Sequence, residues 1–223
     1  MKIQFETIWK RAVAQKGSEE AVENLLPDPL RASDLASQPD RYFLSEITKS
    51  VFKAGFVWSV IDQKWPAFED AFFKFDVPTC IYLSPEDIDN LCCDERIVRN
   101  RQKILTVPKN AQMVQEISEE YGGFGTWLGQ WPGEDFVGLL DYFKRNGSRM
   151  GGNSCQYFLR FVGKDGYILT DDVIRALIRL SVIDKSPTSR ADKQRVQDAF
   201  NQLSIQSGLG LTKLSRLLAL SVG

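Results

Sequence analysis

RMGGNSCQYFLRFVGKDGYILTDDV, residues 149–173, sets two adjacent glycines after a basic residue. It then spaces Tyr157, Phe158, Phe161 and Val162 as a helix would, turns at Lys-Asp-Gly, and opens another run with two acids. Apolar residues three and four apart mark one face of an α-helix. Paired glycines permit a tight turn with positive φ and close approach of a ligand to the backbone. The reading is therefore helix, glycine turn, helix. In a chain of formal net charge -1 this is also one of the most basic segments. Between 144 and 179 lie Lys144, Arg145, Arg149, Arg160, Lys164, Arg175 and Arg179, against Asp165, Asp171 and Asp172. A second basic run holds Arg96, Arg99, Arg101, Lys103 and Lys109 with no acid among them. A near-neutral whole can still present a basic face to a polyanion; the plainer reading of such runs is a solvated helix surface.

Outward from that stretch the helical pattern continues. Apolar residues recur at helical intervals in 4–15, 41–54, 67–75, 95–117, 134–145, 153–162, 171–183, 190–205 and 211–221. Breakers fall between them, among them Pro66, Pro78, Pro132, Gly147 and Pro187. Ser84-Pro85-Glu86-Asp87 orders a cap, a first-turn proline and acids as a helix start requires. An all-α protein is expected, with 1–223 forming one domain of two helical lobes. The middle lobe would run roughly from 50 to 145, and the hairpin and terminal lobe would comprise 1–49 and 146–223.

Composition narrows the chemistry. The 223 residues are 43% hydrophobic and 26% charged, ordinary values for a folded domain. No apolar run approaches the roughly 18 residues of a membrane span, and MKIQFETIWKRAVAQKG lacks the apolar centre and cleavage site of a secretory signal. No membrane association and a cytoplasmic location are expected. Four cysteines, Cys80, Cys92, Cys93 and Cys155, form no CxxC pair, and the sequence contains no histidine. Zinc sites need closely spaced Cys or His, so no metal and no cofactor are expected, and acid–base work falls to Asp or Glu.

Three places hold candidate site residues. Gly151, Gly152 and Asn153, flanked by Arg149, would aim backbone N–H groups and a helix N-terminus at a phosphate. Thr170-Asp171-Asp172 reads either as an N-cap with first-turn acids or as a carboxylate pair serving a sugar cation or a water. The aromatic segment 45–76 is mostly core, but Gly55 and Phe56 read as a loop able to enter a base stack, and Trp58 as a platform for an extruded base.

These blocks resemble the bacterial DNA-3-methyladenine glycosylase I family, within the helix-hairpin-helix DNA glycosylases. The residues that carry the resemblance are AGFVWSVIDQKWPAFEDAFFKFD (54–76), LSPEDIDNLCCDERIVRNRQKILTVPKNA (83–111) and RNGSRMGGNSCQYFLRFVG (145–163). The resemblance implies an all-helical, monomeric DNA repair enzyme acting on double-stranded DNA that contains alkylated bases. It would flip the damaged base and hydrolyse its N-glycosidic bond, without lyase activity. Gly55 and Phe56 would be the intercalating loop and Trp58 would line the base pocket. Gly151, Gly152, Asn153 and Arg149 would hold the backbone. A cationic base such as 3-methyladenine would favour the π face of Trp58. Two departures stand out: the family's zinc ligands are missing, and its pocket glutamate falls on Ser50. Glu46, one turn away on the same face, could supply the missing charge. Beyond residue 163 the chain looks like other members of the superfamily, whose catalytic acid would fall near Asp171 or Asp172. The alternative functions are a catalytically impaired DNA-damage-binding protein of the same fold and a helical scaffold with no nucleic-acid role.

Overall fold

The computed structural model describes residues 3–222, and among these it contains helices and turns but no β-strand. In chain order the helices are α1 (Phe5–Lys16), α2 (Glu19–Glu23), α3 (Ala32–Ala36), α4 (Asp40–Lys53), α5 (Trp58–Ala71), α6 (Val77–Ile81), α7 (Pro85–Cys93) and α8 (Arg101–Ile104). There follow α9 (Thr106–Tyr121), α10 (Phe124–Gln130), α11 (Phe136–Asn146), α12 (Asn153–Phe161), α13 (Asp171–Arg179), α14 (Arg190–Ser207) and α15 (Leu211–Leu220). The expected starts are built as chemistry dictates. At α7 the Asp87 amide donates to Ser84 Oγ at 3.1 Å while the Ser84 amide donates to Asp87 Oδ2 at 2.8 Å, a reciprocal capping box. At α13 the Thr170 hydroxyl accepts from the Val173 amide.

The contacts divide the chain into two compact units. One comprises residues 3–30, Trp131–Leu139 and 163–222; the other comprises Arg31–Gln130 and Leu140–Val162. Residues 31–49 and the hairpin at 146–162 thus fall with the middle of the chain, although the sequence reading groups them with the ends. The cause is packing: α12 lies against α4, and Phe158 of α12 meets Phe143 edge-on with ring centroids 5.5 Å apart.

In the middle unit α4 is packed by α5, α9, α10 and α12 and buries Phe43, Ile47, Val51 and Phe52. The expected helix at 67–75 is displaced, and Pro66 lies inside α5 instead of ending a segment. A mid-helix proline costs about 3 kcal/mol, but α5 buries Ile61, Trp65 and Phe68, each worth roughly 1.5–3 kcal/mol. Phe73, Lys74 and Phe75 then take φ of 53, 55 and 57°, a left-handed turn of non-glycine residues. Such residues cost roughly 1–2 kcal/mol each. The turn brings Phe75 back parallel to Trp65, at 5.5 Å and 9°, within a stack that also holds Phe68 and Phe72. The expected helix at 95–117 is divided, because Asn100 caps the short α8 and a new helix starts at Thr106. Glycine-rich α10 gives no strong sequence signal; burial of Phe124, Trp127 and Leu128 decides it.

In the other unit, the Asp165 carboxylate accepts from the Leu211 and Thr212 amides at 3.0 and 2.7 Å and so caps α15. Thr212 and Ser215 exchange hydrogen bonds with the backbone of Gly166 and Ile168, and Tyr167 stacks on Phe200 at 4.4 Å. The segment leading to Thr170 and α13 is held along its length.

The turn between α11 and α12 is fastened from below. Asn110 of α9, fully buried, accepts from the Ser148 amide at 2.7 Å and donates to the Ser148 carbonyl at 3.2 Å. Asn110→Ala removes both bonds and leaves a buried amide unpaired, so it should cost about 2 kcal/mol in a denaturant titration. A loss below about 0.5 kcal/mol would show that the turn does not depend on this anchor.

Candidate nucleic-acid interface

The turn at Gly151-Gly152 opens a helix that nothing in its own side chains caps. Gly152 takes φ 62° and ψ -137°, a conformation costly for any residue with a Cβ, and no side chain caps the N-terminus of α12. Gly151, Gly152 and Asn153 are all exposed. The uncapped end carries the partial positive charge of the helix dipole. Arg149, itself at φ 59°, donates to Gln102 of α8 at 2.5 Å.

Further along α12, Tyr157 and Phe161 meet Trp58 at the start of α5. Trp58 stands edge-to-face to Tyr157 at 4.9 Å and 87°, and to Phe161 at 5.8 Å and 81°. Five residues of helix, about 7.5 Å, separate Gly152 from Tyr157. One helix therefore joins the phosphate-type end to the aromatic cluster. Trp58 remains 40% exposed, so it is not a sealed core residue.

The loop from α4 to α5 is apolar and outward. Gly55 has φ 74°, Phe56 is 39% exposed and Val57 67% exposed. It rests on Lys103 of α8, a buried lysine whose Nζ donates to the Phe52 and Ala54 carbonyls at 3.0 and 2.6 Å and lies 4.3 Å from the Phe56 ring centroid. Burial, with Arg149 adding to it, pushes the Lys103 pKa down. The short α8 thus holds the hairpin through Gln102 and the apolar loop through Lys103.

The other sequence-named residues are placed apart. Glu46 lines a cavity of about 580 Å³ with Tyr42, Lys49, Trp65 and Glu69, a lining that does not include Trp58. Burial raises the Glu46 pKa. Ser50 is 4% exposed, and its hydroxyl has no hydrogen-bond partner. Asp171 and Asp172 are in the other unit, in the first turn of α13, where Asp172 pairs with Arg175. Cys80 and Cys155 are buried, and burial pushes the Cys80 thiol up to about 12.

Sequence reasoning missed Lys53. Its Nζ lies 5.2 Å from the Trp58 ring centroid and 5.0 Å from that of Phe161, and it pairs with Asp62 at 2.9 Å. The π face expected to welcome a cationic base already carries an ammonium. The signals were a lysine one turn beyond Ser50 and an aromatic pair four residues apart on α12.

Residues 36–137 match the family model described as methyladenine glycosylase. This bears out the resemblance carried by the blocks at 54–76 and 83–111; the hairpin block lies beyond the matched stretch. Among solved structures, 3-methyladenine DNA glycosylase I from Staphylococcus aureus is 21% identical, over 64% of this chain and 82% of that one, with a TM-score of 0.52. The 8-oxoguanine DNA glycosylase of Methanocaldococcus jannaschii is 18% identical over 94% and 91%, with a TM-score of 0.55. The M. jannaschii enzyme bound to a 15mer DNA containing 8-oxoguanine gives 15% identity over 95% of each chain and a TM-score of 0.54. The fold is that of the all-α, helix-hairpin-helix DNA glycosylases.

Lys103→Met keeps the side-chain length but strands the Phe52 and Ala54 carbonyls. It should cost about 2 kcal/mol of stability and raise hydrogen exchange at residues 54–57 more than at α9. Uniform exchange across both regions would show that Lys103 does not hold the loop.

Proposed function

We propose, for a chain whose residues 36–137 match the methyladenine glycosylases and whose fold is that of the helical DNA glycosylases, that it is a monofunctional DNA glycosylase acting on alkylated purines in duplex DNA. The observation that carries this reading is the continuity of α12, which begins at an uncapped glycine turn and ends against a half-exposed tryptophan. In this reading Gly151, Gly152 and Asn153 donate backbone N–H groups to one phosphate, and Arg149 adds charge beside them. Phe56 enters the stack left by the extruded nucleotide. The base lies on Trp58, a contact worth roughly 1–3 kcal/mol. Flipping costs a few kcal/mol and least for a damaged pair, which favours lesions at this step.

Bond cleavage then needs an anion near a sugar that develops positive charge. Asp171 and Asp172 are the proposed carboxylates, one stabilising that charge and directing water to the anomeric carbon. Asp171 is the better placed chemically of the two, since Asp172 already pairs with Arg175. A second reading, lesion binding without cleavage, is favoured by one observation: Ser50, where the family resemblance sets a glutamate, supplies no charge.

Base release from alkylated duplex DNA decides between them. Asp171→Asn or Asp172→Asn should slow release at least roughly tenfold, about 1.4 kcal/mol of barrier, with little change in duplex affinity. Wild-type binding to alkylated duplex without any freed base would establish the binding protein instead.

A further inference from the structure

The turn ahead of α12 sets an arginine where the backbone favours glycine. Arg149 has φ 59°, a left-handed conformation that costs any residue with a Cβ and that glycine takes freely. Strain of this kind persists where a side chain serves something other than the fold. The Arg149 side chain is exposed and is held by a neutral group, its Nη2 donating to Gln102 Oε1 of α8 at 2.5 Å. Carboxylates take that place for the arginines of the other basic run: Arg96 pairs with Asp94, Arg99 with Glu95 and Arg101 with Asp89. A carboxylate cancels the charge it orients, whereas an amide orients the charge and leaves it whole. Among the described residues neither Arg149 nor Lys103, which follows Gln102 on α8, forms an ion pair. The bond to Gln102 engages one N–H of the guanidinium fork and leaves the others to a ligand.

Resting on the glycosylase reading, we infer that Gln102 is a positioning residue for DNA: its amide aims the Arg149 guanidinium at a backbone phosphate without cancelling its charge. The short α8 is itself fixed. Asn100 caps it, accepting from the Lys103 amide at 3.1 Å, and Lys103 ties it to the Phe52 and Ala54 carbonyls. The backbone of Ser148, next to Arg149, is pinned in turn by Asn110. Both ends of the Gln102–Arg149 bond thus rise from anchored backbone, and the guanidinium loses less freedom when a phosphate arrives. A glutamate at 102 would keep the reach and the hydrogen bond but supply a counter-ion, which would compete with phosphate for the same N–H groups. A phosphate contact carries no base information, so its gain is the same for damaged and undamaged duplex.

Duplex titrations over a series of salt concentrations test this. Arg149→Gly relieves the left-handed strain, so its denaturation midpoint should be no lower than that of wild type. Its affinity for alkylated and for undamaged duplex should fall alike, by about tenfold. The slope of log affinity against log salt should shrink by about 0.9, the share of one phosphate. Gln102→Ala keeps the charge but loosens the side chain. It should bind about threefold more weakly, with an unchanged slope and no further loss when added to Arg149→Gly. Gln102→Glu should approach the Arg149→Gly loss in both affinity and slope. A Gln102→Ala loss that persists in the Arg149→Gly background, or no loss at all, would overturn the inference. So would wild-type affinity in Gln102→Glu, or a lowered midpoint in Arg149→Gly, and each of these results leaves the glycosylase reading intact. Wild-type binding that does not respond to salt would remove that reading and this inference with it.

Discussion

The end of α4 is closed by a buried ammonium, and the arrangement of the candidate interface depends on it. A helix C-terminus exposes carbonyl oxygens and the negative end of the dipole. Lys103 meets both needs, donating to Phe52 and Ala54 at 3.0 and 2.6 Å. Desolvating a lysine is costly and lowers its pKa, as it does here; two carbonyl acceptors and two aromatic rings surround the charge and offset that cost. Capping by a distant side chain leaves the chain free to continue outward as an exposed apolar loop. A glycine Schellman cap would fold residues 54–57 back on the helix and withdraw Phe56.

Much of this was legible in the sequence where the cause is local. The caps at Ser84 and Thr170 follow from side-chain oxygens reaching amides two or three residues ahead, and both are present. The glycine turn before α12 was legible because adjacent glycines in a helical run have few other uses. What could not be read depends on partners far along the chain. The left-handed turn at 73–75 is set by the stacking of Phe75 on Trp65, and α10 by burial of its aromatic residues, neither of which propensity contains. Nothing local marks Lys53; only the packing of α12 on α4 brings Phe161 to its ammonium.

The two lysines at the end of α4 and above it divide the work. Lys103 is consumed by backbone carbonyls and positions a loop. Lys53 pairs with Asp62, which it shares with Lys49, and lies beside the Trp58 and Phe161 rings. Asp62 is exposed, so solvent screening leaves this pair little net stability to contribute. Lys53 therefore acts more through the Trp58 and Phe161 rings beside it than through its ion pair.

The acid pair poses the opposite problem, because its structural role is real and small. Thr170 already accepts from the Val173 amide, and a first-turn acid adds only about 0.3–1 kcal/mol through the dipole. Asp172 recovers part of this through Arg175. Asp171 is exposed, and α13 is held in place by the pinned segment 165–168 rather than by its own first turn. Asp171 can thus be replaced without unfolding α13, whichever chemistry it performs. A change in base release at that position would report on a charge near the sugar and not on a broken helix.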